Sequence, residues 1–312
     1  MRIPASCCGL VGLKPTRERI SEGPVVGDNL SGLTAELIVS RSVRDSALVL
    51  DAVHGPAPGD PYAAPTPERP YRDELEAEPR GLRIGFTSTP ALEVETDPAC
   101  VAAVDDAVAL LESLGHHIEP GSPTDVASQA DGGIDIADTF LTRWAAGQAM
   151  VLDTLGQLLG RPVGREDVEP LTWALAEIGR ERSAGRYLGD VALHQGLTRA
   201  IAGWFASGYD LLLTPTMAER PAPIGTWDDD GPEPLAAFER AFPAGAFTAV
   251  FNVTGQPAIS LPLYWSEDGL PVGVQLVAAF GREDLLVAVA AQLERARPWV
   301  DRVPPLFAGA AA

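Results

Sequence analysis

The chain has 312 residues, of which 46% are apolar and 21% charged, enough to bury a sizeable core. With 23 basic against 43 acidic side chains, the net charge of −20 disfavours phosphate backbones and anionic membrane surfaces as partners. Three cysteines, two of them adjacent, and four scattered histidines give neither a disulfide framework nor a metal-ligand spacing, so no metal and no cofactor are expected.

The first sixteen residues read MRIPASCCGLVGLKPT. Pro4 and Pro15 predict extended or turn geometry, Gly9 and Gly12 break any long helix, and residues 8–13 read as a short buried strand or a tight backbone passage. Residues 20–35 are a Gly/Asn/Ser-rich loop. Ser42-Val43-Arg44-Asp45 is a capping-box start, and the helix that follows places Val43, Ala47, Leu50 and Val53 on one face before Gly55-Pro56. Residues 56–79 are proline-rich and acidic, without periodicity.

Residues 82–86 read as a strand. Asp97-Pro98 then opens a helix with Val101, Val104, Val108, Leu111 and Leu114 inward, closed by Gly115. A strand near residues 117–119 completes a parallel crossover. Residues 134–206 have helical periodicity in three segments. Phe140, Trp144, Met150 and Leu155 mark the first; Leu171, Trp173, Leu175 and Ile178 the second; Leu193, Leu197, Ile201, Trp204 and Phe205 the third. Residues 209–215 form a continuous apolar run ending in proline, the pattern of a buried parallel strand. Residues 258–263 and 272–277 pair as strands around Asp268-Gly269, and a last helix covers about 283–297. Residues 226–234 are an acidic loop, and the tail from Gly309 is expected to be disordered.

Five blocks, in order, resemble the amidase-signature family. They are Arg2 to Thr16, Ser42 to Ser46, Asp210 to Thr216 (DLLLTPT), Asn252 to Pro262 (NVTGQPAISLP) and Gly269 to Leu276 (GLPVGVQL). The resemblance spans essentially the whole chain as a single domain, residues 1–312. It implies an α/β fold with a mixed sheet core flanked by helices. It also implies a carboxamide hydrolase in which a serine attacks, a second serine relays the proton and a neutral lysine is the base. In that family Met1 matches the position directly after the nucleophilic serine, and the relay serine and lysine lie further upstream. Lys14, the only lysine, matches the family's GLKPT lysine, which is not the catalytic one.

No catalytic residue is therefore expected in this chain, which reads as the C-terminal portion of such an amidase, inactive and prone to aggregate alone. Three readings follow: an incomplete copy of a working amidase, a truncated non-catalytic binding protein, or one half of a split amidase. The implied partners are a small-molecule amide, an N-terminal segment, or a second copy of the chain as a homodimer. The implied location is cytoplasmic. Aryl amides, aliphatic amides and nylon-type oligoamides all remain open as substrates.

The candidate site residues are Arg2, Pro4, Gly9 and Gly12 beside the nucleophile position, and Phe140, Trp144, Trp173 and Asn252 as a substrate pocket. Each has a plainer role: an ion pair for Arg2, core packing for the aromatics, turn chemistry for Asn252 and Gln256. Cys7 and Cys8 read as buried apolar residues, His194 as exposed or hydrogen-bonded, and Asp228-Asp229-Asp230 as a solvated loop rather than a cation site.

Overall fold

The computed structural model describes residues 1–24, 26–123, 136–228 and 233–304. Asp229, Asp230 and the tail lie outside the described residues. Among the described residues, seven strands form one mixed sheet: β1 (Val11–Lys14), β2 (Val39–Ser40), β3 (Arg83–Phe86), β4 (His117–Pro120), β5 (Leu211–Pro215), β6 (Ala258–Trp265) and β7 (Pro271–Ala278), in the order β2-β1-β6-β7-β5-β3-β4. Only β5/β3 and β3/β4 are parallel. The two parallel partners bracket α3 (Pro98–Ser113), the expected crossover, and Asp97 Oδ1 caps it by accepting from the Ala99 amide at 2.8 Å. The apolar run at 209–215 is parallel to β3 on one side and antiparallel to β7 on the other.

Side chains alternate across a strand, and the sheet uses this to make two unlike faces. Val11, Leu13, Ile84, Leu211, Leu213, Ile259, Leu261, Val274 and Leu276 belong to the main core, packed with α2 (Val43–Val53), α3 and α10 (Glu283–Ala296). Ser42 Oγ caps α2 by accepting from the Asp45 amide at 3.1 Å. Val53, expected on the packed face of α2, is exposed.

The residues in between, Gly12, Lys14, Thr214, Ser260, Gly273 and Gln275, are small or polar. They form the part of the other face that α1 (Arg2–Cys8) covers, beside the apolar Leu212 and Val277. This helix corrects the extended reading of the N-terminal block. Pro4 sits in the first turn, where its missing N–H has no intrahelical partner to lose. Gly9 ends the helix at φ +64° with its amide turned back to the Ser6 carbonyl.

Three further helices, α4 (Ile136–Leu159), α5 (Pro170–Glu181) and α6 (Ala184–Ala206), match the periodic region. Leu197, Ile201, Trp204 and Phe205 of α6 pack with Leu212 and Val277 of the sheet. Met150, Leu155 and Leu193 are exposed. Short helices α7 (Leu235–Arg240), α8 (Phe242–Gly245) and α9 (Ala249–Thr254) lead into β6. Among the described residues no helix is long and apolar enough to cross a membrane.

Candidate active site

The first turn of α1 has to approach the sheet closely. A Cβ on Gly12 would lie 2.6 Å from Ala5 Cβ and 2.7 Å from the Met1 carbonyl oxygen, and one on Gly273 would lie 2.7 Å from Ser6 Oγ. Glycine at both positions lets helix and sheet touch through backbone. Ser6 Oγ accepts from the Gly273 amide at 2.9 Å and fixes the contact. Gly9 ends this helix, and Pro4 is exposed on it.

This packing buries Arg2. Its Nη1 donates to Gln275 Oε1 at 2.6 Å, and its Nη2 donates to the Thr248 carbonyl at 2.9 Å and to Asn252 Oδ1 at 2.5 Å. Gln275 is held in turn, donating to Thr214 Oγ1 and the Phe247 carbonyl, both at 3.0 Å. The ion pair expected for Arg2 is not what holds it: all three partners are neutral acceptors. Burial without a counter-charge brings its guanidinium down to about 9. Lys14, also buried, donates to the Pro15 carbonyl at 2.7 Å. Burial first, then the charge of Arg2, pushes its amine well below the ordinary lysine range.

Met1, Arg2, Lys14, Thr248 and Asn252 form the floor of a cavity of about 490 Å³, within the usual range for small-molecule sites. Its walls are apolar: Leu92, Ile136, Phe140, Trp144, Phe238, Phe242 and Val250. The rings form a chain. Phe140 and Trp144 lie 5.4 Å apart, Trp144 and Phe238 6.1 Å, and Phe238 and Phe242 5.4 Å, mostly edge to face. Four of the proposed residues, Arg2, Phe140, Trp144 and Asn252, therefore meet at one cavity.

Trp173 does not. It packs beside Ala149, Leu152, Val163 and Ala176, with the guanidinium groups of Arg165 and Arg180 5.8 and 5.6 Å from its ring centroid. Gln256 is buried and accepts a bond from Thr254 Oγ1. Cys8 is exposed and Cys7 only half-buried, against the buried reading of the pair. His194 is buried and hydrogen-bonded. Phe238, Phe242, Leu92 and Thr248 also line the cavity, and no motif in the sequence marks them. Among the described residues no group of three His, Cys, Asp or Glu side chains could hold a metal ion.

The family described as Amidase matches residues 1–287. The chain belongs to the amidase family. It is 42% identical over 315 residues to a 6-aminohexanoate-cyclic-dimer hydrolase of Paenarthrobacter ureafaciens, covering 98% of this chain and 63% of that protein. It superposes on the structure of a 6-aminohexanoate cyclic dimer hydrolase complexed with substrate with a TM-score of 0.90 at 40% identity, over 97% of this chain and 64% of that one. A bacterial aryl acylamidase of the amidase-signature family shares the fold, with a TM-score of 0.80 at 22% identity, over 98% and 63% of the two chains. The chain thus spans less than two thirds of the length of these relatives.

Proposed function

We propose that these 312 residues form the substrate-binding side of a carbon–nitrogen hydrolase acting on uncharged aliphatic carboxamides, with cyclic amides of 6-aminohexanoate as the substrate class. One observation carries the reading. The residues that follow the family's nucleophile position, Met1 and Arg2, line the same cavity as the aromatic wall of α4, α7 and α8. An amide group placed at that polar floor leaves its methylene chain against Phe140, Trp144 and Phe238. Burying each methylene there contributes about 0.8 kcal/mol. The substrate class is taken from the name of the 42%-identical relative.

Hydrolysis itself would follow the serine acyl-enzyme route, with attack, proton relay and base supplied by the Ser-Ser-Lys set that the family resemblance places before Met1. None of that set is assigned to the residues described here, and the role we propose for these residues is binding of the amide. The buried guanidinium of Arg2 has a part in that route as a fixed charge beside the nucleophile position, held by neutral groups and needing no reorganisation as the oxyanion develops.

The test is calorimetric titration of the chain with 6-aminohexanoate cyclic dimer, with amine release followed in parallel. Saturable binding that Trp144→Ala weakens is the expected result. Absence of binding, or binding indifferent to Trp144→Ala, would overturn the assignment of the cavity. Amine release by the pure chain would overturn the assignment of the chemistry.

A further inference from the structure

One turn beyond Phe140 on α4, Arg143 is buried and does not line the cavity. Its Nη2 donates to the Leu30 carbonyl at 3.0 Å and to the Ser31 carbonyl, and its Nη1 lies 2.6 Å from His194 Nδ1. Guanidinium has no acceptor, so Nδ1 must accept. The neutral imidazole then donates from Nε2 to Thr139 Oγ1 at 2.9 Å. Burial, reinforced by the charge of Arg143, holds His194 down at about 4, consistent with that neutral form. Both ends of the contact are thus fixed on helices α4 and α6.

The segment it grips has an unfavourable backbone. Leu30 and Ser31 are both at φ +53° and Gly32 is at φ +79°, a region that residues with a Cβ avoid. Other contacts hold the same turn. The Leu30 side chain fills the space above Gly147, where a Cβ would lie 1.8 Å from Leu30 Cδ2. Arg17 Nε donates to the Gly32 carbonyl at 2.7 Å. The next carbonyl, that of Leu33, accepts from Asn252 Nδ2 at 2.7 Å, and Asn252 Oδ1 accepts from Arg2.

We propose that Arg143 is a positioning residue for the cavity. It sets the left-handed turn at 30–32, the turn aims the Leu33 carbonyl, that carbonyl fixes which way the Asn252 carboxamide faces, and Asn252 in turn holds Arg2 at the floor. A carboxamide rotated by half a turn would present its NH₂ to the guanidinium, so the orientation decides whether Arg2 is held. Arg143 makes no direct hydrogen bond to Asn252, so coupling between them runs through segment 30–33, which Arg17 also ties to α9 by donating to the Gly32, Asn252 and Val253 carbonyls. The inference rests on the reading of the cavity as an amide site only for its effect on ligand.

The experiment combines hydrogen exchange, read by mass spectrometry, with a double-mutant cycle in ligand affinity. Arg143→Lys keeps the charge and loses the fork that spans two carbonyls. Gly147→Ala displaces Leu30 and leaves Arg143 in place. In both variants amide exchange should rise at least about tenfold in residues 28–35 and severalfold in 249–255, with the sheet as in the parent. Affinity for 6-aminohexanoate cyclic dimer should fall about tenfold in Arg143→Lys and in Asn252→Ala, and no further in the double variant, since both changes break one chain of contacts. A rise that leaves 249–255 unchanged, or affinity losses that multiply in the double variant, overturns the proposal. If the parent binds no amide, the reading of the cavity fails, and the exchange data still decide the clamp. Should Arg143→Lys not fold, Gly147→Ala carries the same exchange test.

Discussion

Gly12→Ala tests whether the approach of α1 to the sheet positions the site. The added Cβ would lie 2.6 Å from Ala5 Cβ and 2.7 Å from the Met1 carbonyl oxygen, whereas carbon atoms in contact prefer about 3.5–4.0 Å. Neither obstacle is the end of a flexible side chain, so α1 has to move outward by roughly 1 Å. Overpacking of this kind costs about 1–3 kcal/mol, which for a chain of this size lowers Tm by about 2–6 °C. The same movement stretches the 2.6 Å bond from Arg2 to Gln275 past the hydrogen-bonding range, so ligand affinity should fall about tenfold, equivalent to about 1.4 kcal/mol.

Gly9→Ala is the control. Gly9 has φ +64°, and a new Cβ there would meet Pro271 and Trp265 at ordinary contact distances, the nearest atom being 3.4 Å away. Its left-handed strain costs about 1–2 kcal/mol and leaves the contact between α1 and β1 intact. The two variants should lose similar stability, and only Gly12→Ala should lose affinity. Thermal denaturation and calorimetry measure both. A Gly12→Ala protein with lowered Tm and parental affinity would refute the link between this packing and the site.

Four further outcomes are expected. Trp144→Ala should weaken amide binding with a modest loss of Tm, whereas Trp173→Ala should lower Tm and leave binding alone; equal effects on affinity would contradict the separation of the two rings. Burial, together with Asp28 and Glu22, raises Glu18 to about 7. Its unfolded form ionises near 4.5, so its contribution to stability is lost as pH rises from about 4.5 to 7 and stays lost above. Denaturation midpoints between pH 5.5 and 7.5 should therefore fall more steeply for the parent than for Glu18→Gln, and parallel slopes would remove Glu18 from the account. His194 acts in the opposite sense: held at about 4 against 6.5 when unfolded, it costs stability as pH falls through that window, and His194→Asn should flatten the acid side of the curve. Brief treatment of the native chain with iodoacetamide should alkylate Cys8 first, since Cys8 is exposed, Cys7 is half-buried and Cys100 is buried with its thiol pushed up to about 12. Early modification of Cys100 in intact-mass and peptide analysis would contradict its burial.

How far the sequence reveals this molecule depends on the range of the interaction that decides each feature. Helices α2 and α3 are legible because their stop and start signals are local: Ser42 and Asp97 cap their own first turns. The β6–β7 hairpin is legible for the same reason, with Asp268-Gly269 between two apolar runs. Helices α7 and α8 have six and four residues, too few for a period to show, and so Phe238 and Phe242 escaped notice. Phe140, Trp144 and Trp173 share one signature in sequence, an aromatic on an amphipathic helix. What separates them is which neighbour each helix packs against, and no spacing within a helix carries that. Arg2 finds its acceptors at Thr248, Asn252 and Gln275, about 250 residues away, so its neutral partners could not be read from its surroundings.

One part of the site is nevertheless written locally. In Val11-Gly12-Leu13-Lys14 the large apolar residues alternate with a glycine and a lysine, and Leu213-Thr214, Ile259-Ser260-Leu261 and Val272-Gly273-Val274-Gln275 repeat the pattern on β5, β6 and β7. A sheet covered by apolar helices on both faces would carry continuous apolar strands. Alternation on β1, β6 and β7, whose large residues are all buried, means that this part of the second face is buried against something small, close and polar, whereas Leu212 on β5 breaks the pattern and packs under α6. The stripe of Gly12, Ser260 and Gly273 is where backbone meets backbone, and Lys14, Thr214 and Gln275 are the polar groups that such an approach shuts in. Each of those groups needs a partner once buried, and Gln275 finds its own in Arg2, Thr214 and Phe247. The period-two pattern therefore predicts both a helix lying on the glycines and a buried polar network beneath its first turn, where Arg2 stands.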